Sequence, residues 1–381
     1  MLKQIGNVQL MQKINRLKVL NYIREKEMAF RPQIAKETGL STASVTNIVS
    51  YLMSKNIVES GCGFAKNKAG RRADVIKFNA AAYNFICISV EHKNLTAAFC
   101  DLSGRILEQT KVEIGVGSGE ELILSIADIV TNMVKSHKDS EILAVGIALS
   151  ALVLRKEIYS APLNLHIPLF KENLSEKIGL PVFVENITTT KAAWQFKNKE
   201  NSVGNVVFLD LVEGIGAVQF TDGVINRSAV GEIGHTTVDP EGEKCVCGNT
   251  GCLETICSYE KLSLLSNQFG FKSVGDALLN ADEKTKEKIF GGYEKYLGIG
   301  ISNLITIFNP DKLCINCEYF EGSTKILENA IDEMKRRTHK IFTGSLAVQY
   351  VNIAPEEIMN GIALYMCDMI FSLDFEKGFI E

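Results

Sequence analysis

The sequence has no apolar run long enough to cross a bilayer. Its longest apolar stretch without Asp, Glu, Lys or Arg, Tyr296 to Pro310, has 15 residues and is broken by Gly298, Gly300, Ser302 and Asn303, against the ~20 that a membrane helix needs. Met1 to Leu10 lacks a charged segment followed by an apolar core, so no secretory leader is expected and the location expected is cytoplasmic. An evenly spaced cysteine framework is also missing. Three of the ten cysteines crowd between Cys245 and Cys252 and the rest are scattered, which in a reducing compartment suggests metal rather than disulfides. Net charge is small, 41 Lys+Arg against 45 Asp+Glu, formally −4. With 46% hydrophobic and 23% charged residues over 381 positions, disorder, collagen-like repeats and a small disulfide scaffold are excluded, and two or three ordinary domains are expected.

The small net charge hides an asymmetry. Residues 1–80 hold 14 Lys/Arg against 5 Asp/Glu, a balance of +9, and the remaining 301 hold 27 against 40, a balance of −13. A basic arm on an acidic body suggests a nucleic-acid partner, although charge alone fits a solvated surface equally well.

Motifs in the arm favour the first reading. Ile14, Leu17, Leu20 and Ile23 recur at helical spacing over Lys13 to Glu25. Pro32 opens a short helix that Gly39 stops. Ser41 can cap a third, in which Val45, Ile48, Val49 and Leu52 form one buried stripe. Its other face carries Thr42, Ala43, Ser44, Thr46, Asn47 and Ser50, small enough to sit deep in a major groove and polar enough to reach bases and phosphates. Strands are expected at Ile57 to Glu59 and Val75 to Phe78. Between them lies a basic segment with Lys66, Lys68, Arg71 and Arg72, a wing that could reach phosphate or the minor groove. The spacing thus predicts a winged helix-turn-helix over residues 1–80 binding duplex DNA through Gln33, Ser41, Thr42, Ala43, Ser44, Thr46, Asn47, Arg71 and Arg72. A winged helix used for protein contacts is the alternative.

Beyond residue 84 strands alternate with longer helices, implying α/β layers. Strands are expected at Ile86–Val90, Leu95–Asp101, Ile106–Val112, Leu143–Leu149 and Pro181–Glu185, and helices over Glu120–Ser136 and through Trp194. Leu143–Leu149 is apolar throughout and therefore central. A second set starts with Val206–Asp210 and Ala217–Phe220, and the later part reads as helical apart from Lys312–Ile315. Two strand-rich starts that each end in helices suggest two related lobes, 84–200 and 201–381, with a cleft between them and the last helix packing back on the first lobe.

The densest chemistry lies at Gly231-Glu232-Ile233-Gly234-His235 and Cys245-Val246-Cys247-Gly248-Asn249-Thr250-Gly251-Cys252. His235, Cys245, Cys247 and Cys252 supply four ligands, and Gly248 and Gly251 let the backbone turn so that the sulfurs converge. Four protein ligands describe a closed, structural Zn2+ site. Cys257 in place of His235 is a competing assignment. Cys314-Ile315-Asn316-Cys317, without a neighbouring His or third Cys, reads as structural. Glu232, His235 and Glu254 bracket the metal segment and suit vicinal hydroxyls, which makes a sugar the natural ligand.

These residues, with Glu185-Asn186, the Leu297-Gly298 to Pro310 helix and Gly70-Arg71-Arg72, resemble the ROK family of repressors, open-reading-frame products and sugar kinases. The likeness covers nearly the whole chain and is greatest to the xylose-type and N-acetylglucosamine-type repressors. It implies a two-lobed actin-like ATPase body of ribonuclease H type, a structural zinc on His235, Cys245, Cys247 and Cys252, and a sugar held by Asn186, Glu232, His235 and Glu254. The chain departs from the kinase branch where ATP chemistry is done. Kinases carry Asp after the Asn as general base, whereas here Ile187 cannot accept a proton. Their glycine-rich phosphate turns are replaced by Glu91-His92-Lys93-Asn94, Val212-Glu213-Gly214 and Asn316-Cys317. The expectation is therefore a dimeric, or dimer-of-dimers, DNA-binding regulator released by a monosaccharide such as xylose, with no ATP and no catalytic residue. A sugar kinase with an appended arm is the alternative.

Overall fold

The computed structural model describes residues 7–62, 74–91, 94–115, 117–154, 156–160, 163–197, 204–212, 214–226, 232–317, 324–373, 375 and 380. Gly70, Arg71, Arg72, Lys66, Lys68, His92, Lys93, Glu213 and Gly231 lie outside these residues.

The chain begins with α1 (Asn7–Lys26), β1 (Met28–Phe30), α2 (Arg31–Thr38), α3 (Thr42–Ser54), β2 (Val58–Cys62) and β3 (Asp74–Phe78). Leu17, Leu20 and Ile23 of α1 and Val45, Val49 and Leu52 of α3 are buried in one core. Pro32 lies in the first turn of α2, and Gly39 ends that helix at φ 70°, a left-handed position that glycine adopts without a Cβ penalty. Ser41 caps α3 by accepting from Ser44 N at 3.1 Å. The strands form an antiparallel sheet in the order β1-β3-β2. β1 is only three residues long and exists because β3 offers it a partner, which no local pattern announces.

The body repeats one plan twice. The first half has β4 (Asn84–Glu91), β5 (Asn94–Asp101), β6 (Ile106–Glu113), α4 (Gly119–Ser136), β7 (Ile142–Leu149), a small sheet of β8 (Leu152–Val153), β9 (Glu157–Ser160) and β10 (Leu165–Pro168), then α5 (Phe170–Ile178), β11 (Val182–Asn186) and α6 (Ile187–Gln195). The second has β12 (Asn205–Asp210), β13 (Gly216–Thr221), β14 (Val224–Ile225), α7 (Leu253–Cys257), α8 (Tyr259–Gln268), α9 (Val274–Asn280), α10 (Glu283–Phe308), β15 (Lys312–Asn316), α11 (Lys325–Arg337), α12 (Lys340–Thr343), β16 (Ala347–Val351) and α13 (Pro355–Ile370). The large sheets run β6-β5-β4-β7-β11 and β14-β13-β12-β15-β16. In each, the first three strands are antiparallel neighbours and the last two join in parallel.

Strand alternation assigns the faces. Phe85 and Cys87 of β4 enter the core shared with α13 and the N-terminal helices, while Ile86 and Ile88 pack under α4 and α5. In the second sheet Val206 and Phe208 face α6, and Val207 and Leu209 face α7 to α11. β7 is buried along its whole length, as its unbroken apolar run requires. The expectation that the later part is helical apart from Lys312–Ile315 needs one correction: beside the expected strand, now β15, β16 adds another, and because it is a half-exposed edge its sequence lacks the apolar signal of a core strand.

Candidate sugar cleft, metal cluster and N-terminal helix face

On α3 the residues singled out in the sequence share one side. Ser41, Thr42, Ala43, Thr46 and Asn47 are exposed, Ser44 is half-buried, and Gln33 of α2 is exposed. Some of their hydroxyls are already engaged: Ser41 Oγ lies 2.8 Å from Ser44 Oγ, and Thr46 Oγ1 donates to Thr42 O at 2.8 Å. Asn47 projects from the face with no such local tie among the described residues.

The metal residues converge as well. One ligand atom from each of His235, Cys245, Cys247 and Cys252 lies within 4.8 Å of all the others. Cys247 and Cys252 sulfurs are 3.7 Å apart, and Cys245 Sγ is 3.5 Å from His235 Nδ1. A tetrahedral ion with sulfur at ~2.3 Å and nitrogen at ~2.0 Å has edges of about 3.8 and about 3.5 Å, so the cluster has the spacing to hold a metal. Gly251, at φ 68°, allows the convergence, since a Cβ there would stand 1.5 Å from Asp239 O. Burial pushes the Cys252 thiol up to about 12 and raises Cys245. Cys247 is also pushed up by burial, but the Asn249 amide and the neighbouring thiols outweigh this and lower it. The competing ligand Cys257 points elsewhere, its thiol donating to Tyr293 O at 3.6 Å.

Asn186, Glu232, His235 and Glu254 line one cavity of about 330 Å³ between the two sheets. It lies where parallel strands end, at Asn186 of β11 and Asp210 of β12, the place in open α/β sheets where ligands bind. Glu254 Oε2 accepts from Ile215 N at 3.0 Å, which fixes its carboxylate. Glu232 is raised by burial and by Glu254, against the opposing pull of His235. His235 serves both sites geometrically, with Nδ1 toward Cys245 and Nε2 4.0 Å from Glu232. Asn186 has a second task, capping α6 by accepting from Thr188 N at 2.7 Å while its Nδ2 donates to Ala151 O at 2.9 Å.

Several wall residues escaped the sequence reading. Lys191 and Asp210 form a buried ion pair at 3.0 Å, with side chains 2% and 5% exposed. Asp210 also accepts from Asn316 Nδ2 at 2.8 Å, and Asn316 Oδ1 accepts from Ile353 N at 3.0 Å. Asn316, at a glycine position of the kinases, is thus a structural knot. Tyr159 of β9 reaches over the cleft and donates to Val246 O at 3.1 Å, tying the small sheet to the metal loop. Ile187 lines the cavity with an apolar side chain, and Ser89 Oγ donates to Glu91 at 2.6 Å in the first-strand turn.

The sequence model of the ROK family matches residues 85–364, so the N-terminal unit lies outside it. A xylose repressor of Caldicellulosiruptor bescii is 26% identical, covering 96% of this chain and 98% of that protein. The DNA-binding transcriptional dual regulator NagC of Escherichia coli is 28% identical over 91% of this chain and 90% of its own. Among solved structures, a ROK family transcriptional regulator homologous to the E. coli Mlc protein superposes with a TM-score of 0.78 at 23% identity, over 95% of this chain and 97% of that one. A ROK glucokinase of Streptomyces griseus, in complex with glucose and AMPPNP, reaches 0.58 at 21% identity over 74% of this chain and 98% of its own. These two likenesses establish the fold, an actin-like two-lobed body in which the same five-strand order occurs twice.

Proposed function

The chain belongs to the ROK family, and on that premise we propose that it is a sugar-responsive DNA-binding transcriptional regulator, a repressor of carbohydrate-utilisation genes relieved by a monosaccharide such as xylose. One observation carries the reading: a cleft lined by Asn186, Glu232, His235 and Glu254 shares a molecule with an N-terminal unit whose third helix exposes Thr42, Ala43, Thr46 and Asn47. The relatives named as xylose repressor and NagC span more than nine-tenths of the chain, a longer stretch than residues 85–364 of the family match, and support it.

In this reading residues 1–80 are a winged helix-turn-helix. α3 enters the major groove with Ser41, Thr42, Ala43, Ser44, Thr46 and Asn47 toward the bases, Gln33 stands beside it, and Arg71 and Arg72 supply a basic wing. Two protomers read two half-sites. The lobes, 84–200 and 201–381, hold the sugar by its hydroxyls on the Glu232 and Glu254 carboxylates, with Asn186 and His235 completing the contact. Zinc on His235, Cys245, Cys247 and Cys252 fastens the metal loop next to the cleft; a set of four protein ligands serves structure. No phosphoryl transfer is assigned, because Ile187 offers no base to a sugar hydroxyl.

The test is fluorescence anisotropy of the full chain on duplex DNA from its own upstream region, across a salt series. Nanomolar binding with a steep inverse dependence on salt is expected, and no preference over unrelated duplex would overturn the proposal. A coupled ATP-consumption assay over pentoses, hexoses and N-acetyl sugars is expected to stay at background; turnover would reinstate the kinase.

A further inference from the structure

The last helix packs both on α6, which lines the cleft, and on the N-terminal unit. At its middle, α13 lies so close on α6 that a Cβ at Gly361 would stand 2.4 Å from Thr190 O. Trp194 Nε1 of α6 donates to Glu357 Oε1 at 2.9 Å, and the Met366 side chain fills the space over Gly146 of β7. α6 is the helix that Asn186 caps, and Ile187, Thr188, Thr189 and Lys191 of its first turns line the cavity.

Just past α13 the chain seizes the N-terminal unit. The Phe371 ring meets Phe78 of β3 edge-on at 5.9 Å, with the Arg24 guanidinium of α1 over it at 4.5 Å. Asn21 Nδ2 donates to Phe371 O at 3.4 Å, and Lys13 Nζ donates to Leu373 O at 2.8 Å and to Phe375 O at 3.0 Å. Phe375 in turn stacks on Phe183 at 6.0 Å, three residues before Asn186 on β11. One continuous apolar core holds Leu20 and Val49 of the N-terminal unit, Met359 and Ile362 of α13, and Ile187 at the cleft. Close-packed interiors pass on displacements because they have no voids to absorb them.

We propose that α13, with Phe371, Leu373 and Phe375 beyond it, is the lever that carries the state of the cleft to the recognition helix. The inference rests on the reading of the cleft as a sugar site and of α3 as a DNA reader. A sugar that reseats the first turn of α6 moves α13 and Phe375 with it. Phe371 and the carbonyls held by Lys13 then reorient α1, against which α2 and α3 pack. The ion pair between Arg24 and Asp368, at 3.8 Å and with Asp368 67% exposed, contributes little to this joint.

The test compares wild type with Gly361→Ala, which wedges α13 off α6, and with Lys13→Met, which frees the Leu373 and Phe375 carbonyls from α1 without touching the core. Operator affinity is measured by anisotropy with and without saturating xylose, glucose or N-acetylglucosamine. A wild-type release of tenfold or more is expected to shrink to under threefold in both variants, while calorimetry shows sugar affinity unchanged in Lys13→Met. Variants that release DNA as wild type does overturn the lever and leave the functional reading standing, whereas wild type that binds no duplex overturns the functional reading itself. Hydrogen exchange with operator duplex alone gives an arm that needs no sugar: α6 and α13 amides are expected to change protection in wild type and not in Lys13→Met. Unchanged α6 amides in wild type also overturn the lever.

Discussion

Single residues decide the chemistry of the cleft and the metal loop. Cys252→Ser removes a ligand while keeping the side chain's size, so metal content is expected to fall from about one zinc per chain to near zero, as read by elemental analysis. Because a thiol must lose its proton to bind metal, and burial pushes Cys252 up to about 12, zinc affinity of the wild type is expected to weaken as pH falls; a flat profile between pH 8 and pH 6 would count against thiolate ligation. Lys191→Met strips the ammonium from the buried Asp210, and an uncompensated buried charge of this kind costs about 3–5 kcal/mol. Urea unfolding is expected to show that loss, with partial recovery in Lys191→Met/Asp210→Asn. The metal cluster was legible because its ligands crowd within eighteen residues of sequence. Lys191 was not, since a lysine in Ile-Thr-Thr-Thr-Lys-Ala-Ala-Trp reads as solvated until the second lobe folds over it.

At the scale of elements, patterns with a period were readable and elements made by pairing were not. The stripe of Val45, Val49 and Leu52 announced α3, and the apolar run at 142–149 announced the central β7. β1 and β16 are short or half-exposed and pair with strands far away in sequence, while β8 to β10 pair with their neighbours but are only two to four residues long, so local propensity carries little trace of them. The helix α1 starts six residues before the expected Lys13, because its first turns continue past the buried stripe into solvent. The exposed face of α3 gives the element's own prediction. Asn47→Ala is expected to weaken operator binding by about 5- to 150-fold, the ~1–3 kcal/mol of a lost base contact, with the melting temperature unchanged because the residue is exposed. Operator affinity that Asn47→Ala leaves intact would remove α3 from the groove.

For the whole molecule, the sequence already displayed the division between a +9 arm and a −13 body, but not that the two share one core through α13. That connection is tertiary, built from residues 13–24 and 366–375 at opposite ends of the chain. In the proposed function it would make the arm part of the sensor, joined through α13 to the cleft between two sheets of the same strand order. A pair of arms reading two half-sites implies a dimer, expected by analytical ultracentrifugation with operator duplex as two chains, or a multiple of two, per DNA.

The most direct measurement is the operator affinity of the zinc-loaded wild type, titrated by anisotropy at fixed salt with and without each monosaccharide of the panel. A coupling free energy of about 1–3 kcal/mol is typical of allosteric sites and tenfold corresponds to about 1.4 kcal/mol within it, so one sugar is expected to weaken operator binding by about tenfold or more, and operator DNA to weaken that sugar's binding by the same factor. A sugar seated in the cleft by calorimetry that leaves operator affinity unchanged would contradict the account.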